Sequence, residues 1–382
     1  MTATSHSLRR ALCGLGLAAV LSAATALGSA PAVATPLEPT LDSLAEFIQA
    51  GLHPAADGRT PTVIADSGSS SGSASLSRAT DALREGPAMS AYLPALVHGL
   101  VNPDDSPAGA NRWGCEPSAA HPRPVVLLHG TWLNAYDTFA YLSPRLAEAG
   151  YCVFTFNFGK SGLLEGGGIA PILPGRNGVG SMVDSSAQIA TFVDRVLAAT
   201  GAEKVDIVGH SQGGTVANHF LKFNGGQAKV DKLVTFGATH HGTSLMGLAT
   251  LGRMINNIGI DILGFYRPMV GVANIEQAVG SEFYATLNAN GDTVPGVSYT
   301  SVATRYDEVT NPYDWAFLTA GPNATVDNIT LQDGCEQDIS DHLTMMYSPR
   351  VASITLRALD PAHAPALVCT FNPWFFGGGG SL

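Results

Sequence analysis

The stretch Val205-Asp206-Ile207-Val208-Gly209-His210-Ser211-Gln212-Gly213-Gly214 constrains the fold more than any other part of the chain. An apolar run of strand length passes into G-x-S-x-G and then into a helical pattern. A serine so placed sits on a strained strand-to-helix turn, a nucleophile elbow, and the glycines two positions away on either side give the turn steric room. The pattern alone is weak, because a chain with 43 glycines in 382 residues should contain it about 0.4 times by chance. Gly68-Ser69-Ser70-Ser71-Gly72 also matches, yet it lies in a Ser/Gly-rich run with no strand before it and no apolar helix after it. Context therefore selects Ser211.

The surrounding sequence repeats the same alternation. Pro124-Val125-Val126-Leu127-Leu128 is a continuous apolar run ending at His129-Gly130, as expected of a strand buried on both faces of a parallel sheet. A helix is predicted over 139–149, closed by Gly150, and a strand over 151–156. Residues 182–199 form a long helical pattern with Val183, Ala187, Ala190, Val193 and Leu197 on one face, ended by Gly201. After the elbow come a helix over 212–223 and strands over 233–236, 297–303 and 326–331. Strand–helix alternation of this kind predicts a doubly wound, mostly parallel α/β sheet. Between 243 and 296 the order lapses into an apolar, charge-poor segment too long for an ordinary connection, so an insertion with its own helices is expected, acting as a lid or as a buried cap.

A serine hydroxyl is a poor nucleophile at neutral pH unless a base takes its proton and a carboxylate orients that base. In sheets of this type the partners follow the serine in the order acid, then histidine, each on a loop beyond a strand. Asp307 lies just beyond the strand at 297–303, with Glu308 as its neighbour and competitor. His342 follows the next strand, and its downstream rival is His363, inside a proline-flanked loop. His210 precedes the serine on the strand and should point away from it as packing or support. An oxyanion formed at Ser211 requires two main-chain N–H donors, one from the residue after the nucleophile and one from the loop after an early strand; these fall to Gln212 and Thr131. His129 and the pair His240-His241 have no further ligands at metal-binding spacing, so no metal is expected.

Arg9-Arg10, an apolar run from 11 to 27 and small residues ending Ala32-Val33-Ala34 have the order of a secretory signal, with a membrane anchor as the alternative. Export would remove Cys13 and leave Cys115, Cys152, Cys335 and Cys369. Three pairings of four cysteines exist; Cys115–Cys152 and Cys335–Cys369 each bracket a separate part of the fold and are the expected bridges, four free thiols being the alternative. The organisation read from the chain is a signal at 1–34, an extension with a Ser/Gly-rich linker at 35–86, a catalytic domain at 87–376 and a flexible glycine-rich tail at 377–382. A net charge of −11 with 13% charged residues argues against nucleic acid or an anionic membrane surface as partners.

Val125-Val126-Leu127-Leu128-His129-Gly130-Thr131, Gly209-His210-Ser211-Gln212-Gly213-Gly214, the run from Asp307-Glu308-Val309 to Pro312, and the loop from Cys335 to His342 together resemble secreted α/β-hydrolase lipases of the class 2 (esterase/lipase A) type, with local similarity to fungal lipase B enzymes. The resemblance spans roughly 89–371. It implies an α/β-hydrolase fold and cofactor-free hydrolysis of lipid carboxylic esters, with Ser211 as nucleophile, His342 as base and Asp307 as its partner. It also implies one disulfide near the first strand and one near the histidine. A monomer in transient contact with a lipid interface is expected. The competing functions are an acyltransferase, which hands the acyl group to an alcohol or sugar, and a non-catalytic binding protein on the same fold.

Overall fold

The computed structural model describes residues 77–162, 165–168, 172–244 and 271–380. The expected signal with Cys13, most of the extension, the apolar heart of the insertion (245–270) and the last two residues lie outside the described residues. In chain order the elements are β1 (Arg78–Asp81), β2 (Arg84–Glu85), α1 (Tyr92–Val101), β3 (Asp105–Ser106), β4 (Val125–Leu128), α2 (Ala135–Phe139), α3 (Leu142–Glu148), β5 (Val153–Lys160), α4 (Met182–Thr200), β6 (Val205–His210), α5 (Gln212–Phe223), β7 (Val230–Phe236), α6 (Val272–Glu276), α7 (Glu282–Leu287), β8 (Ser298–Ala303), β9 (Thr325–Thr330) and α8 (Pro349–Leu359).

Among the described residues, seven strands form one sheet in the order β1-β5-β4-β6-β7-β8-β9, with β1 antiparallel and the remaining pairs parallel. The strand side chains alternate between two cores. Val126 and Leu128 pack with Phe154, Phe156, Ile207 and the apolar side of α4 and α5, whereas Val125 and Leu127 pack with Phe139, Leu142 and Leu146 and with Val351 and Ile354 of α8. Both faces of β4 are thus dry, which is why its four residues are all apolar. The chain runs from β4 to β5 on one side and returns to β6 on the other. The carboxyl ends of β4 and β6 therefore flank a topological switch point, where open α/β sheets form their crevices.

The structure corrects three expectations. The extension expected at 35–86 ends earlier, because Arg78–Asp81 is already a sheet strand, anchored by Arg78 to Glu165 at 2.9 Å and by Asp81 to Arg195 at 2.7 Å. Its charged composition suits an exposed edge and carries no apolar alternation by which a strand is recognised. The glycines at 377–380 are not a free tail. Gly377 bridges to Ala91, the Gly379 N–H donates to Asn372 Oδ1 at 2.7 Å, and a Cβ on Gly380 would lie 2.3 Å from the Tyr141 hydroxyl, so the missing side chains let this segment lie flat on the body. The helix expected at 139–149 starts later, at Leu142, and a separate short helix, Ala135–Phe139, precedes it, capped by Asn134, whose side chain accepts from Asp137 N–H while the Asp137 carboxylate accepts from Asn134 N–H.

The described part of the insertion, 243–244 and 271–296, has helices of its own in α6 and α7. One tie to the body is polar: Glu276 of α6 accepts the N–H of Met182 at the start of α4, at 2.6 Å.

Candidate active site

Ser211 stands between β6 and α5 at φ 54° and ψ −129°, a conformation that a residue with a side chain adopts only where the surroundings impose it. Main-chain contacts impose it here. The Ser211 N–H donates to Phe236 O at 2.9 Å and its carbonyl accepts from Gly214 N at 3.0 Å. The flanking glycines are required by space rather than by dihedral angle. A Cβ on Gly213 would lie 2.2 Å from Leu128 O, and one on Gly209 would lie 2.5 Å from Gly214 N. The elbow thus works by letting α5 start directly against the ends of β4 and β6, with its N-terminal N–H groups and positive dipole end beside the serine.

Asp307 and His342 meet on loops from different strands. His342 Nδ1 lies 2.9 Å from both carboxylate oxygens of Asp307, and both side chains are buried. Asp307 Oδ1 also accepts the N–H groups of Val309 at 2.9 Å and Thr310 at 2.7 Å, which fixes the carboxylate before it meets the ring. Gly237, one residue beyond the carbonyl that holds Ser211, backs the pair; a Cβ there would sit 3.0 Å from both Asp307 Oδ2 and His342 Nδ1. Burial lowers the pKa of His342, but the Asp307 charge and hydrogen bond, with Glu308 and Asp341 nearby, outweigh it and leave the ring above its usual value.

Glu308, the rival acid, does not touch the ring. Its carboxylate accepts the main-chain N–H of His342 at 3.2 Å. His210 lies beside the pair, Nε2 donating to His342 O at 2.7 Å, and burial holds it neutral by pushing its pKa down to about 3. His363 is exposed and pairs with Asp360. His129 is held inside the fold: Nδ1 donates to Gly130 O at 2.8 Å and Nε2 accepts from Phe158 N at 3.1 Å, while burial lowers its pKa to about 4. His240 is buried against Thr235, and His241 pairs with Asp292.

Thr131 and Gln212 converge from β4 and α5. A Cβ on Gly178 would lie 3.2 Å from Thr131 Cα and 2.8 Å from Gln212 Oε1, while one on Gly130 would lie 3.0 Å from Ser211 Cβ, so these residues crowd one point beside the serine. The neighbouring Trp132 N–H is engaged by Asn177 O at 2.9 Å. Gln277, at the end of α6, is a contact that sequence reasoning missed: its Nε2 donates to Thr131 Oγ1 at 2.7 Å. A hydroxyl that accepts there keeps its own proton free to donate elsewhere. No spacing links Gln277 to Thr131 in the sequence, whereas Gly237 carries the signal of a glycine placed directly after a strand.

The expected disulfides are present. Cys115–Cys152 ties the segment before β4 to the start of β5, and Cys335–Cys369 closes the stretch of chain that contains His342.

The α/β hydrolase fold family model matches residues 123–255, which hold β4, the elbow and the candidate oxyanion residues. Triacylglycerol lipases of Pseudarthrobacter phenanthrenivorans and Burkholderia plantarii are each 32% identical over 130 residues, 33% of this chain and 35% and 32% of theirs. The chain thus spans about a third of the length of the curated relatives it matches. Aspergillus fumigatus lipase B superposes with a TM-score of 0.50 at 19% identity, covering 69% of this chain and 57% of that one. The chain has the α/β-hydrolase fold, with its sheet order, elbow and carboxyl-edge loops in the arrangement this fold implies. Within that fold it resembles lipases.

Proposed function

We propose that the protein is a carboxylic ester hydrolase acting on lipid esters through an acyl-enzyme intermediate. The observation that carries this reading is the pairing of His342 with both oxygens of Asp307, set against His210, the residue directly before a serine held in a strained elbow. In this reading His342 Nε2 takes the Ser211 proton as the hydroxyl adds to the ester carbonyl, and Asp307 holds the ring with Nδ1 protonated. The N–H groups of Thr131 and Gln212 stabilise the oxyanion, the alcohol leaves with the proton from His342, and water repeats the sequence to release the acid.

The lipid character of the substrate is supported by the resemblance to triacylglycerol lipases and by the surface near His342. Trp374, Phe375 and Phe376 are each about half exposed, and the Phe375 N–H donates to Asp341, one residue before His342, at 2.6 Å. Such an aromatic rim suits transient contact with an uncharged lipid surface. The two disulfides support export. We further propose that the chain acts as a monomer.

A graded series of acyl esters, hydrolysed by wild-type and Ser211→Ala protein with and without an alcohol acceptor, tests the proposal. Release of acid by wild type alone supports it. Diversion of most product to ester makes the protein an acyltransferase, and failure of folded wild type to react with a fluorophosphonate at Ser211 leaves a non-catalytic protein.

A further inference from the structure

Trp132, beside the candidate oxyanion residue Thr131, also has a left-handed backbone, at φ 61°. It follows Thr131 directly, and its N–H shares one rigid peptide plane with the Thr131 carbonyl, so a partner that fixes that N–H restrains the Thr131 main chain. Strain of this kind persists only if neighbours over-determine it. The neighbours are in the loop beyond β5. Trp132 N–H donates to Asn177 O at 2.9 Å, and Asn177 N–H donates to Leu133 O at 3.1 Å. Arg176 Nη1 donates to Trp132 O at 2.8 Å, so both peptide groups of Trp132 are gripped from one side.

Arg176 is itself fixed. Its Nη2 donates to Asp137 Oδ2 at 2.7 Å, and both side chains are almost fully buried, the guanidinium 4% exposed and the carboxylate 0%. Asp137 Oδ1 accepts from Asn134 N–H at 2.8 Å, which anchors the carboxylate to the far end of the same loop, two residues past Trp132. A buried ion pair contributes little net stability relative to an apolar pair of the same shape. Its planar fork does provide geometry: two donors at a fixed angle, one on the carboxylate and one on the strained carbonyl.

We propose that Arg176 is a positioning residue, which, braced by Asp137, holds Trp132 in its left-handed conformation and thereby aims the Thr131 N–H at the oxyanion. The proposal rests on the ester-hydrolase reading for its consequence but not for its structural content. Arg176 touches no reacting atom and acts through the 131–133 main chain alone. Lysine keeps the charge opposite Asp137 but has a single point of donation, so it cannot serve the carboxylate and the Trp132 carbonyl in the same fixed geometry.

The test uses Arg176→Lys and the double variant Arg176→Met with Asp137→Asn, which removes both charges and retains an acceptor for Asn134. Two readouts are taken: kcat and KM on a soluble short-chain ester, and amide hydrogen exchange at Trp132 and Asn177 against exchange across β4 and β6. The expected result is a kcat lower by about tenfold or more in the lysine variant and lower still in the double variant. KM should stay within about threefold, and exchange should be faster by about tenfold or more at Trp132 and Asn177 with the sheet unchanged. Unchanged exchange at Trp132 overturns the clamp whatever the activity does. Faster exchange with unaltered kcat overturns its role in catalysis. A wild-type protein inert toward every ester sinks the functional reading, and the exchange data then judge the clamp by themselves.

Discussion

The turn that carries Ser211 and the loop that carries His342 are both buried and both held firmly, but by different means. At Ser211 the restraint is main chain against main chain: Gly209 and Gly213 lack the side chains that would push α5 off the ends of β4 and β6. Around His342 the restraint is a web of polar side chains. Asp341 accepts the N–H of Thr344 at 2.8 Å and of Leu343 at 3.1 Å, and Asp338 accepts from Ser340 N–H at 3.1 Å and from the Ser348 hydroxyl at 2.5 Å. Asn372 donates to the Ser340 hydroxyl at 2.8 Å, and the Cys335–Cys369 bridge closes the whole. A packed backbone has one arrangement or none. A polar web can lose one member and keep its shape, which predicts graded responses on the histidine side and abrupt ones at the elbow.

The largest effects should be the same on both sides. Ser211→Ala and His342→Ala are each expected to reduce ester cleavage by on the order of 10⁵ to 10⁶-fold with the fold intact, because nucleophile and base act as one unit. Substantial turnover by either variant, measured as kcat with circular dichroism as the folding control, would break the assignment. Asp307→Asn should cost less, on the order of 10⁴-fold, since the ring stays packed against His210. Full activity in Asp307→Asn together with its loss in Glu308→Gln would transfer the role to Glu308.

The next predictions separate the two kinds of restraint. Gly213→Ala forces a Cβ onto the Leu128 carbonyl and should destabilise the protein by about 3 kcal/mol, read from urea unfolding. Asn372→Ala, which removes one member of the web, should cost about 1 kcal/mol. Equal costs would refute the contrast. Replacing Cys335 and Cys369 by serine should cost about 2 to 4 kcal/mol through loop closure and also lower kcat below the unfolding temperature, because the bridge closes the loop that carries the base. The same change at Cys115 and Cys152 should lower stability alone.

The smallest predicted effect is on pH dependence. His342 must be neutral to accept a proton; burial lowers its pKa, and Asp307 is the largest of the influences that raise it above the ordinary value. The acid limb of kcat/KM should therefore lie above the ordinary histidine range in wild type and move to lower pH in Asp307→Asn. A limb that stays put or moves upward would contradict the electrostatic account. For stability the sign is opposite to that for activity. A raised folded-state pKa stabilises the protein fully below the unfolded histidine value, and that contribution disappears as pH rises through the folded value.

Local patterns in the chain are enough to specify the alternation from β4 to α5, the elbow at Ser211 and the order in which the acid and the histidine follow it. Apolar runs of strand length, glycines at fixed offsets and a fixed succession of loops each leave their mark within a few residues. The remainder depends on contacts between distant segments. Whether Asp307 or Glu308 faces the ring depends on which carboxylate the turn at Val309 and Thr310 captures, and two adjacent acids look alike until that turn is folded. The edge strand β1 is hydrophilic and the segment at 377–380 is all glycine, so neither announces the surface it packs on. Arg176 is 44 residues from the Trp132 carbonyl it holds, and Gln277 is 146 residues from Thr131. Neither pairing has a period or a spacing to reveal it, because a hydrogen bond from one side chain to a distant loop demands a geometry that only the folded chain supplies.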